Sequence, residues 1–125
     1  MFFQIDPSNG LAIYDQVVRQ MKFAIAHGTV RAGEMVPSVR ELARQLAINP
    51  NTVSRAYREL QGEGILESVR GTGLRVAAGA ARTCKAERRK MVRQRLQSAL
   101  NEAGQSGLTK VELKKLIEQE LKSIQ

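Results

Sequence analysis

A mainly helical fold carrying one small β-hairpin is predicted by three observations. Apolar residues recur at spacings of three and four along most of the chain, and two helix-start signatures stand close together at Ser38 and Asn49. The segment Arg70-Gly71-Thr72-Gly73 lies between two short β-prone runs. With 125 residues, the chain holds one small core plus an appendage, which excludes a large enzyme.

The first helix is expected from Leu11 to about His27, because Ile13, Val17, Val18, Met21, Ala24 and Ile25 share a face and Gly28 supplies a left-handed stop. Thr29 to Val36, with Gly33 inside and Pro37 after it, reads as a loop with one short strand. Ser38 and Glu41 form an S-x-x-E capping box ahead of Val39, Leu42, Ala43 and Leu46, which predicts a short second helix. A tight connection through Ala47 and Ile48 leads to Asn49, a good N-cap. Pro50 then takes the first helical position, where its missing donor costs nothing. Ile48 and Val53 are spaced for a hydrophobic staple.

The third helix should run from Pro50 to about Glu63. Val53, Ala56, Tyr57 and Leu60 fall on its packing side, and Asn51, Arg55 and Arg58 on the opposite side. Gly62 and Gly64 end it. Ile65-Leu66-Glu67-Ser68-Val69 and Leu74-Arg75-Val76 then pair around the Gly71-Thr72-Gly73 turn. Helix, turn, helix and two-stranded wing make a winged helix-turn-helix over residues 1–76.

The small residues 77–81 read as a linker. In the tail, residues 82–125, Val92, Leu96, Ala99, Leu100 and Ala103 mark a fourth helix that Gly104-Gln105-Ser106-Gly107 interrupts. Thr109 and Glu112 form a second capping box, and Leu108 and Leu113 a second staple, at the start of a fifth helix. Such a hairpin has little core of its own. A second copy of the chain is therefore expected to cover Leu96, Leu100, Leu113, Leu116, Ile117, Leu121 and Ile124, giving a two-helix dimerisation tail.

A winged helix-turn-helix is a device for reading duplex DNA. Its second helix enters the major groove, where N-terminal side chains meet base edges while the preceding helix crosses the backbone. The third helix here fits that role. Asn51 can bond adenine bidentately, Arg55 can reach guanine or phosphate, and Thr52 and Ser54 can donate to phosphate oxygens. Arg40 can extend toward the groove, with a surface pair to Glu41 or Glu59 as the alternative. Ser38 and Asn49 at the helix starts, Arg58, and the Arg70, Gly71, Thr72 and Gly73 tip complete the candidate DNA-binding set.

The formal charge of +8 and pI near 10.3 favour a polyanionic partner. The excess is uneven. Residues 1–81 carry 9 basic and 7 acidic side chains, whereas residues 82–125 carry 11 and 5. Lys85, Arg88 and Arg89, within the basic run from Arg82 to Arg95, are candidates for flanking phosphate contacts that add affinity without sequence information. The opening Met1-Phe2-Phe3-Gln4-Ile5-Asp6 lacks a secretory leader's basic region and apolar core, and no apolar run is long enough for a bilayer.

Cys84 is the single cysteine, which suits a reducing cytoplasm. It reads as an incidental thiol, the minority alternative being a redox sensor whose pKa the basic stretch lowers. His27 has no metal-ligand company, so neither metal nor cofactor is expected. No nucleophile, histidine and carboxylate set suggests an enzyme.

These residues resemble the winged helix of the GntR family of bacterial transcription regulators. The resemblance rests on Pro37-Ser38-Val39-Arg40-Glu41-Leu42-Ala43, Asn49, Asn51-Thr52-Val53, Arg55-Ala56-Tyr57-Arg58-Glu59-Leu60, Gly64 and Arg70-Gly71-Thr72-Gly73. It covers Tyr14 to Val76, and the short tail is similar to the YtrA-like subfamily. It implies a homodimeric repressor of a palindromic operator, often of a transporter operon, with DNA contacts at Arg40, Asn51, Thr52 and the Arg70-Gly71 tip. It also implies that Tyr57 packs behind the recognition helix with its hydroxyl near phosphate. Pro50 stands where many members carry Arg or Lys, so operator preference does not transfer. Ala32 stands where a proline is frequent, which bears on loop stiffness.

A small-molecule effector has room only in a small pocket at the dimer interface or between tail and winged helix, and the residues do not identify one. The alternative function is an architectural nucleic-acid-binding or protein-interaction module without operator specificity.

Overall fold

The computed structural model describes residues 4–124, so Met1-Phe2-Phe3 of the segment read for a leader, and Gln125, lie outside the described residues. Seven elements follow in chain order: α1 (Ile13–His27), α2 (Val39–Leu46), α3 (Pro50–Gly62), β1 (Leu66–Val69), β2 (Gly73–Val76), α4 (Ala80–Gln105) and α5 (Lys110–Ser123). The chain is mainly helical with one antiparallel hairpin, as a winged helix requires. It divides into two compact units, residues 1–88 and 89–125.

α1 begins at Ile13 rather than Leu11, because the Asn9 side chain holds the Leu11 N–H at 3.0 Å in a turn ahead of the helix. Gln16, buried, anchors the preceding arm: its amide donates to the Asp6 and Leu11 carbonyls and its oxygen accepts from the Asp6 N–H. At the far end Gly28 adopts φ 86° and its N–H closes on the Ala24 and Ile25 carbonyls.

Val17, Val18, Met21 and Ile25 of α1 are buried against Val53, Ala56, Tyr57 and Leu60 of α3, Leu42 and Ala43 of α2, and Ile65, Leu66 and Val76 of the hairpin. These residues form one core.

Both caps of the helix-turn-helix are made. Ser38 Oγ accepts from the Glu41 N–H while Glu41 returns the bond to the Ser38 N–H, and Asn49 Oδ1 accepts from the Asn51 N–H at 2.8 Å. Between them Ala47 carries φ 54°, the left-handed conformation without a glycine.

In the wing, Leu66 pairs with Val76, Glu67 with Arg75, Ser68 with Leu74 and Val69 with Gly73. The short strand expected before Pro37 amounts to one bridge, Met35 to Arg75, extended by the bonds from Val36 N–H to the Leu74 carbonyl and from Val76 N–H to the Glu34 carbonyl. β2 is thereby held on both edges.

Residues 77–81 do not form a linker. Ala77 and Ala80 are buried, the Ala77 N–H bonds to the Ile65 carbonyl, and Ala80 already opens α4. Small side chains here serve close packing. Cys84, one turn on, is also fully buried, so the first turns of α4 belong to the first unit. In the second unit, α5 opens with the Thr109 and Glu112 capping box and buries none of its residues.

Candidate nucleic-acid interface

The capped start of α3 gathers several of the expected site residues. Asn49, Asn51, Thr52 and Arg55 line one shallow concavity, completed by Ile13 and Tyr14 from the start of α1. Asn51, Arg55 and Arg58 are exposed, Thr52 and Ser54 half-buried, and Val53, Ala56, Tyr57 and Leu60 turned into the core. The helix thus presents one polar face and packs the other. The oxygen of Asn49 is committed to its cap. Arg55 stacks over the Tyr14 ring with its guanidinium carbon 3.6 Å from the centroid.

Arg40 is exposed on α2, and among the described residues it forms no ion pair with Glu41 or Glu59. Ser38, Thr72 and Gly73 line a second groove of about 420 Å³ between the start of α2 and the wing. Arg70 and Gly71 are exposed at the wing tip, which is tightened by the Thr72 N–H to the Val69 carbonyl at 2.9 Å. Gly71 there has φ 75°, a conformation that side chains resist.

Tyr57 differs from the expectation of a phosphate contact. It is 2% exposed, and its hydroxyl donates to the Pro37 carbonyl at 2.8 Å. That spends its single donor. Burial, with the nearby Glu41 charge, pushes its pKa well above the ordinary tyrosine value. The residue therefore ties the recognition helix to the loop entering α2.

Cys84 is likewise no low-pKa sensor. Burial pushes the thiol up to about 11, Glu87 adds to the rise, and Lys22 only partly opposes it.

Sequence reasoning missed two groups because their members are distant in the chain. One is Tyr14 beneath Arg55. The other is Lys22, 6% exposed, whose Nζ donates to Glu63 Oε1 at 2.9 Å and lies 3.0 Å from Glu87 Oε2. Desolvation disfavours its charge, but the bonds and charges of the two carboxylates outweigh that and raise its pKa. This cluster joins α1, the C-cap of α3 and α4.

On α4, Ala80, Cys84 and Glu87 face the core of the first unit. Lys85 and Arg89 are exposed, as are Arg82 and Arg93 on the same side of the helix, while Arg88 is half-buried. Of the expected interface residues in the second unit, Leu96, Leu116, Ile117, Leu121 and Ile124 are exposed, whereas Leu100 and Leu113 are half-buried. Among the described residues no helix is long and apolar enough to cross a membrane, and no cluster of metal-ligating side chains occurs.

Residues 13–76 match the model of the gntR family of bacterial regulatory proteins. The chain is 42% identical over 115 residues to the HTH-type transcriptional repressor YtrA of Bacillus subtilis (strain 168), covering 92% of this chain and 86% of that protein. Its structure is similar to that of a GntR family transcriptional regulator from Listeria monocytogenes, with TM-score 0.69, 30% identity, and 90% and 97% of the two chains covered. It is also similar to the AraR DNA-binding domain in complex with operator ORX1, with TM-score 0.52, 28% identity, and 62% and 93% covered.

Proposed function

Since the chain belongs to the gntR family of bacterial regulatory proteins, and is thus a DNA-binding transcriptional regulator, we propose that it is a homodimeric repressor of a palindromic operator. The observation that carries this reading is the exposed polar face of α3 beside Arg40 and the Arg70-Gly71 tip, built on a capped turn. Repression is supported by the name of the Bacillus subtilis relative, which spans nearly the same length. In this reading Arg40 and Asn51 read bases, and Thr52, Ser54, Arg55, Arg58 and the wing tip hold phosphate or base edges. Ser38 and Asn49 contribute chiefly by fixing the helix starts.

Dimerisation is assigned to the second unit. Leu96 is 54% exposed, Leu116 45%, Leu121 61% and Ile124 70%, an apolar surface that a lone chain leaves in water. A second copy covering it would set two recognition helices about one duplex turn apart, as an inverted repeat requires. The experiment is sedimentation of the wild type and of Leu116→Asp with Ile117→Asp. The wild type should be dimeric and the double variant monomeric with weak operator affinity. A double variant that stays dimeric would place the interface elsewhere.

A further inference from the structure

We infer that Tyr14, at the start of α1, is a positioning residue for DNA recognition, its ring presenting the Arg55 guanidinium to nucleic acid. The inference rests on the reading of Arg55 as a DNA contact. An exposed arginine ordinarily samples many rotamers, and ordering them on binding costs affinity. Here the guanidinium face lies 3.6 Å from the Tyr14 centroid, which restricts the side chain before DNA arrives.

Stacking uses the face of the guanidinium and leaves its N–H edges unspent. Among the described residues Arg55 forms neither a hydrogen bond nor an ion pair, so its donors remain available. Tyr14 is half-buried and packs on the core, so the platform is anchored. The same concavity includes Asn51 and Thr52, which places the held cation among the residues assigned to the groove.

The test is a double-mutant cycle on the full chain, titrated against a duplex enriched by the wild type from a randomised pool. Tyr14→Leu should weaken binding about two- to fivefold, the size of an exposed cation–π contact. Tyr14→Phe keeps the ring and should bind within about twofold of wild type on the same scale. In an Arg55→Ala background, Tyr14→Leu should cause no further loss.

An equal loss in both backgrounds would overturn the inference, and a loss with Tyr14→Phe matching that of Tyr14→Leu would transfer the role to the hydroxyl. Arg55→Ala binding like wild type would instead refute the reading of Arg55 beneath it. Should Tyr14→Leu fail to fold, the wild type still answers: the Arg55 δ-methylene protons should show an upfield ring-current shift, and ordinary values would overturn the stacking.

Discussion

Arg40 and Asn51 differ from the other polar residues of the interface in having exposed side chains that no cap or ion pair engages. If each meets a base, its truncation to alanine should cost about 1–3 kcal/mol on the preferred duplex and less on random sequence. A titration of both duplexes separates this from phosphate contact, which would lower both affinities equally. Ala47 offers a second residue-scale test. A left-handed alanine is strained by about 1–2 kcal/mol, and glycine gives back part of that relief as chain entropy. Ala47→Gly should therefore raise stability by about 0.5–1 kcal/mol in urea denaturation; a loss would mean the Ala47 methyl packs usefully. The exposed contacts were legible in the sequence because helical periodicity alone separates Asn51, Arg55 and Arg58 from the buried face. Tyr57 shows the limit. Its position on the packing side was readable, but the bond to the Pro37 carbonyl depends on how the chain folds back.

At the level of elements, the capped turn and the wing were readable because their signals are local: Ser38 with Glu41, Asn49 with Pro50, and glycines at the tip. The segment 77–81 was misread because small residues suit a flexible linker and a close helix contact equally well. Only the burial of Ala80 and Cys84 distinguishes them. The same contact predicts an alkaline weakness. Cys84, Tyr57 and Lys22 all have folded pKa values raised above their unfolded ones, so the folded state holds those protons more tightly. Their contribution is complete below the unfolded values and is lost as pH rises through the folded ones. Stability should fall from pH 9 toward 11 as the Cys84 share is lost, and Cys84→Ala should flatten that part of the profile. A variant with the wild-type slope would show that the thiol stays protonated or is equally buried when unfolded. On the outer side of α4, neutralising Lys85, Arg88 and Arg89 should reduce the slope of log K against log salt by about 0.9 for each phosphate lost. An unchanged slope would leave these cations as a solvated face.

For the whole molecule, the charge distribution and the exposed apolar residues bear on the same question. The winged helix is barely basic, while residues 82–125 carry most of the positive excess along with the uncovered leucines and isoleucines. Recognition is therefore assigned to the first unit and assembly to the second, with nonspecific affinity contributed from α4. Family membership was legible from local motifs, whereas Lys22 bridging Glu63 and Glu87 was not, since the charges come from three separate helices. The most direct test is equilibrium competition between a duplex enriched from a randomised pool and random duplex of equal length at physiological salt. A homodimeric operator reader should enrich an inverted repeat and bind it typically ~10³-fold or more tighter than the random duplex. Failure to enrich any sequence, with equal affinity for both duplexes, would contradict operator recognition and favour an architectural DNA-binding role.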